Sequence, residues 1–123
     1  GDLLKVQISS PNCFWGQGIP TNADVMLVSA ASTCYIISLA ATLERAGYKD
    51  IRINQHSVGT ASFENGKFKM ECITHYPKIN VDNNHKDNLK KRLLKLLKFE
   101  DNNCMISNAI KNNVEVRIEP TLV

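Results

Sequence analysis

The stretch NADVMLVSAASTCYIISLAATLERAG, residues 22–47, decides the fold. No charged side chain falls between Asp24 and Glu44, and apolar residues occupy almost every side of a helical wheel. Thr21 or Asn22 is a suitable N-cap, Asp24 places negative charge in the first turn, and Gly47 is a natural stop. Such a helix is about 40 Å long, the width of a small domain. A helix apolar all round is buried on several sides or lies in a membrane. Ser29, Ser32, Thr33, Ser38 and Thr42, and the lack of a basic flank before Asn22, favour burial. The reading is a buried central helix carrying one thiol, Cys34, near its middle.

Around this helix the chain of 123 residues has room for one core, so a single domain over residues 1–123 is expected. A hydrophobic content of 43% with 22% charged residues is that of an ordinary globular protein. No export signature or glycosylation sequon is evident, which points to a cytoplasmic protein with no membrane partner. Gly1 stands where Met would be, so the strand region 1–20 is expected to be processed or truncated. Four widely spaced cysteines, Cys13, Cys34, Cys72 and Cys104, argue against a disulfide scaffold. In a reducing compartment they are buried structural thiols or redox centres.

Leu3 to Ile8 alternates as a short strand, and Pro11 ends it. Phe14 and Trp15 then pack on the central helix or line a mouth beside it. Ile51 to Phe63 reads as a strand with a bulge at Gly59, and Asn65-Gly66 is a strong hairpin signal. Lys67 to Tyr76 alternates with Phe68, Met70, Cys72 and Tyr76 on a core face and Lys67, Lys69, Glu71 and His75 on the other. Cys72 and His75 therefore point apart, and no zinc or other metal site is expected. His56 and His85 are read as surface residues. Asp87 to Phe99 is an amphipathic helix with a stripe of Leu89, Leu93, Leu96 and Leu97. Its basic residues, Lys90, Lys91, Arg92, Lys95 and Lys98, suit a solvated face better than a nucleic-acid site, since no aromatic or Gly-rich element accompanies them. Cys104 opens a further helix to about Lys111, where the free N–H groups are expected to lower its pKa. Val114 to Ile118 is a closing strand ended by Pro120.

Two segments resemble the OsmC/Ohr family of thiol peroxidases. Thr21-Asn22-Ala23-Asp24-Val25-Met26, running to Ala31-Ser32-Thr33-Cys34, is similar to the family's first motif. Cys104-Met105-Ile106-Ser107-Asn108-Ala109 and the strand after it resemble the second. The resemblance implies an α+β, OsmC-like fold: an antiparallel sheet packed on a long buried central helix, in an intertwined homodimer. It places the peroxidatic cysteine at Cys34, the resolving cysteine at Cys104 and the helix-start carboxylate at Asp24. It implies an organic hydroperoxide substrate, an external dithiol reductant such as a lipoyl group, and no bound cofactor. Phe14, Trp15, Tyr35 and Met105 are the expected apolar walls. Ala23 and Met105 replace the family's prolines, and Asp24 is one methylene shorter than its glutamate. No arginine precedes Arg45, leaving Lys5 or Arg52 to supply the activating charge. The alternative expectation is a catalytically weak OsmC-like domain that senses redox state or binds an apolar ligand.

Overall fold

The computed structural model describes residues 23–101 and 104–123. Leu3 to Ile8, Phe14, Trp15 and the N-cap at Thr21 or Asn22 lie outside the described residues. Helix α1 covers Ala23–Arg45, strand β1 Arg52–Glu64, strand β2 Lys67–Asn80 and helix α2 Asn83–Asp101. A short helix α3 (Met105–Ile110) leads to strands β3 (Glu115–Ile118) and β4 (Thr121–Leu122). The architecture is α+β, with α1 packed on the sheet as the family resemblance implies.

Helix α1 stops where Gly47 allows it. Gly47 adopts φ +101°, its N–H reaches the Glu44 carbonyl at 3.0 Å, and the Tyr48 N–H reaches the Leu43 carbonyl at 3.1 Å. That pair of bonds is a Schellman cap, and Tyr48 and Leu43 bury together in the same cluster. The turn between β1 and β2 likewise follows the sequence. Asn65 at φ 52° and Gly66 at φ 78° are both left-handed, as the tight hairpin turn of an Asn-Gly pair requires.

The antiparallel expectation holds for the β1–β2 hairpin but not for the whole sheet, which is mixed. β3 and β4 run parallel to β2 along its other edge. Their pairing offset to β2 is the same, Ile73 opposite Val116 and Ile79 opposite Leu122, so they form one edge strand interrupted at Pro120. Proline has no N–H to give the ladder.

One irregularity in the hairpin reverses a sequence expectation. Thr60 pairs with Cys72 and Ala61 with Met70, which leaves Glu71 as an extra residue in β2. A bulge of this kind flips the facing of every later residue. Met70 faces α1 before the bulge, and Ile73, His75, Pro77 and Ile79 are buried after it, while Phe68 and Tyr76 are exposed. The irregularity lies one residue beyond Gly59 and on the opposite strand. Gly59 itself serves the packing of α1. A Cβ there would sit 2.6 Å from Val28 Cγ2, so its hydrogen lets the helix lie close to the sheet.

The core is in two parts along α1. Tyr35, Leu39 and Leu43 pack with Tyr48, Ile79, Val81, Leu89 and Leu97, closed by α2. Ala31 packs with Ile73 and Val114, joined by Leu27, Val28, Ile106 and Ile110. Within a single chain α1 is buried along one stripe only, not on several sides as its composition suggests. Val25 is 48% exposed and Ile37 64% exposed on other faces. By length and composition α1 is apolar enough to cross a membrane, yet its buried stripe packs on the sheet and α2. Helix α2 behaves as expected, its leucine stripe inward and Lys90, Lys91, Lys95 and Lys98 exposed. Arg92 is exposed too, and its side chain donates to the Tyr48 hydroxyl at 3.2 Å and lies over its ring.

Candidate active site

Cys34 sits near the middle of α1, where the two core clusters meet. Cys104 is the N-cap of α3, with φ −79° and ψ 114°, and its carbonyl accepts the Asn108 N–H at 3.0 Å. Ile106 and Ile110 anchor α3 against the first half of α1. The result brings two thiols 70 positions apart in sequence together: Cys104 Sγ lies 3.0 Å from Cys34 Sγ. A disulfide is about 2.05 Å long, so a small side-chain rotation joins them. Cys34 is half-buried and Cys104 fully buried, so solvent-borne reagents meet Cys34 first.

The expected lowering of the Cys104 pKa is corrected. Burial pushes this thiol up, and the neighbouring Cys34 sulfur pushes the same way. Ser107 opposes them through its N–H and the dipole of its hydroxyl, though that buried hydroxyl makes no hydrogen bond of good geometry. The cap position is real, but α3 is six residues long and desolvation outweighs its field.

The other expected site residues are dispersed. Asp24 is exposed in the first turn of α1, about 15 Å along the axis from Cys34. Tyr35 is fully buried against the sheet, so it forms no wall for a substrate arriving from solvent. Met105, 76% exposed beside Cys104, remains available for that role. Arg52 is exposed at the start of β1, and Lys5 lies outside the described residues. Among the described residues no cationic side chain hydrogen-bonds to either sulfur. Nor do they hold a cluster of three or more metal-ligating side chains.

The structure adds a polar row that the sequence reading missed. Ser57 and His75 face each other across β1 and β2, with Ser57 Oγ 2.6 Å from His75 Nδ1. The imidazole stacks on Tyr35, ring centres 5.0 Å apart, and its Nε2 has no partner among the described residues. Two positions along β1, Gln55 Nε2 donates to the Ser32 carbonyl at 3.0 Å and lies 2.9 Å from the Ser32 hydroxyl oxygen. The warning in the sequence was Ile73, an apolar residue that uninterrupted alternation places among lysines. His56, by contrast, is an exposed residue stacked on Tyr76, and His85 is an exposed neighbour of Asp82, as expected.

Burial lowers the His75 pKa to about 4 from 6.5. The unfolded chain therefore binds more protons than the folded one between those values. Stability is complete above about pH 6.5 and falls as the pH drops towards 4, by roughly 3 kcal/mol at most. His75→Phe, which removes the titration and keeps a ring against Tyr35, should flatten this part of the profile. Thermal denaturation followed from pH 7 to pH 4 measures the difference.

The fold is α+β, with a close thiol pair between its central helix and the short helix α3. The particular family is set by comparison: the sequence model of the OsmC-like proteins matches residues 16–119, and the chain belongs to that family. It is 37% identical over 122 residues to the uncharacterized protein YmaD of Bacillus subtilis, covering 99% of this chain and 81% of YmaD. An OsmC-like protein of unknown function from Vibrio cholerae superposes with a TM-score of 0.73 at 19% identity, over 90% of this chain and 74% of its own. The organic hydroperoxide resistance protein OhrB of Bacillus subtilis superposes at 0.62 with 19% identity, over 82% and 70%.

Proposed function

We propose that this chain is a thiol-dependent peroxidase that reduces organic hydroperoxides through a Cys34–Cys104 cycle. The observation that carries this reading is the 3.0 Å separation of the two sulfurs, one half-buried and one fully buried. In the proposed cycle the Cys34 thiolate attacks the terminal oxygen of the hydroperoxide. The O–O bond breaks, the alcohol leaves after taking a proton, and Cys34 becomes a sulfenic acid. Cys104 then attacks the Cys34 sulfur, hydroxide leaves as water, and the disulfide closes before over-oxidation. An external dithiol, such as a lipoyl group, restores both thiols in the cytoplasm. Met105, exposed beside Cys104, supplies an apolar wall for the organic group. The test is mass spectrometry after stoichiometric cumene hydroperoxide: one intramolecular disulfide, joining Cys34 and Cys104, is expected.

The second reading is a catalytically weak, redox-sensing or apolar-ligand-binding relative. It is favoured by the buried, upshifted Cys104 thiol and by the lack of a cation hydrogen-bonded to either sulfur among the described residues. Disulfide formation with peroxide consumption no faster than that of free cysteine selects it.

The site is proposed to be completed by a second copy. Asp24 lies too far along α1 to reach the Cys34 of its own chain, and α1 leaves Val25 and Ile37 exposed. Two α1 helices packed antiparallel about a two-fold axis bring Asp24 of one chain towards Cys34 of the other. Sedimentation equilibrium at micromolar concentration should show a species of twice the 13.8 kDa chain mass. Ile37→Asp should shift it to monomer. A wild type found only at 13.8 kDa ends the shared-site idea.

A further inference from the structure

Two polar side chains of the sheet hold α1 on either side of Cys34. Gln55 reaches up to the carbonyl and hydroxyl of Ser32, two residues before the thiol. His75, pinned by Ser57, stacks under Tyr35, the residue after it. Ser32 and Tyr35 are one helical turn apart and face the sheet, while Cys34 points roughly 100° round the helix from Tyr35. Elsewhere along this part of α1 the contacts are apolar, from Val28 and Ala31 to Gly59, Met70 and Ile73. Apolar contact is non-directional and leaves a helix of small side chains free to turn or slide on a sheet. A hydrogen bond has a preferred length and direction and resists both.

We infer that Gln55 and His75 are positioning residues for the Cys34–Cys104 pair, fixing the rotation and height of α1 so that the two sulfurs meet. A rotation of roughly 20° carries a sulfur about 4 Å from the helix axis through about 1.4 Å. That movement is nearly half the 3.0 Å separation. Placing a histidine and a glutamine between helix and sheet is unfavourable for stability alone, because His75 Nε2 and Gln55 Oε1 are buried without partners among the described residues. The inference rests on reading the pair as a redox couple and names the residues that set its equilibrium.

The test equilibrates the full chain with glutathione redox buffers and measures the Cys34–Cys104 disulfide by mass spectrometry, alongside Tm in both redox states. A residue that only stabilises the fold lowers Tm equally in the reduced and oxidised forms and leaves the equilibrium unchanged. A positioning residue changes the equilibrium itself. Gln55→Leu should lower the disulfide-forming constant about tenfold, which is about 30 mV for a two-electron couple. His75→Phe, which keeps a ring and loses the Ser57 anchor, should lower it about threefold. Leu93→Ala, packed on the core away from the thiols, should lower Tm and leave the constant within twofold. If Gln55→Leu and His75→Phe both stay within twofold of wild type, the inference is overturned. It is also overturned if the wild-type pair fails to close under oxidised glutathione. Peroxide turnover does not enter the measurement. A wild type that ignores hydroperoxides but closes the disulfide with glutathione ends the peroxidase reading, and the variants still decide this one.

Discussion

Cys34→Ser should reduce hydroperoxide consumption to the uncatalysed background, a loss on the order of 10³-fold or more. A serine hydroxyl has no accessible anionic form near neutral pH, so the step that breaks the O–O bond loses its nucleophile. Cys104→Ser should behave differently. The first step survives, because Cys34 is the half-buried thiol that solvent-borne peroxide meets. The product then waits as a sulfenic acid that dimedone traps, and repeated turnover stops within about one equivalent. An oxidised wild type whose disulfide joins Cys13 and Cys72 would remove both assignments. Coupled peroxide consumption and intact-mass measurement on the two variants separate these outcomes.

Leu39→Ala should cost about 2–5 kcal/mol of folding stability, the largest single loss expected outside the thiols. Leu39 is fully buried at the centre of the α1 stripe, in one cluster with Tyr35, Leu43, Ile79, Val81, Leu89 and Leu97. Removing its branched end leaves a cavity between helix, sheet and α2 that these neighbours fill only in part. For a chain of this size the loss corresponds to a fall in Tm of about 8–19 °C. Leu94→Ala is the internal control. Leu94 is 75% exposed on α2, and its truncation should change stability by less than about 0.5 kcal/mol. Urea unfolding of both variants checks the contrast; equal losses would mean that the α1 stripe is not the centre of the core.

The sequence by itself determined the features that depend on neighbours in the chain. Gly47 ends α1 because only a residue at ease with positive φ closes a Schellman cap, and Asn65-Gly66 makes the hairpin for the same reason. The leucine spacing of α2 was legible because helical periodicity repeats within a few residues. The pairing of Cys34 with Cys104 was legible only through the family resemblance, since the two are 70 positions apart and nothing in the chain between them encodes a distance. The tertiary structure alone decided that the two sulfurs lie 3.0 Å apart, through the packing of Ile106 and Ile110 against α1. It also decided which face of β2 is buried. A single extra residue at Glu71 turns His75 inward and Tyr76 outward, and a bulge is set by the pairing of two strands, not by the alternation of one. The pKa of Cys104 followed the same rule. Its place at a helix start was visible in the chain, but desolvation depends on what packs over the thiol in the folded chain, and desolvation prevailed.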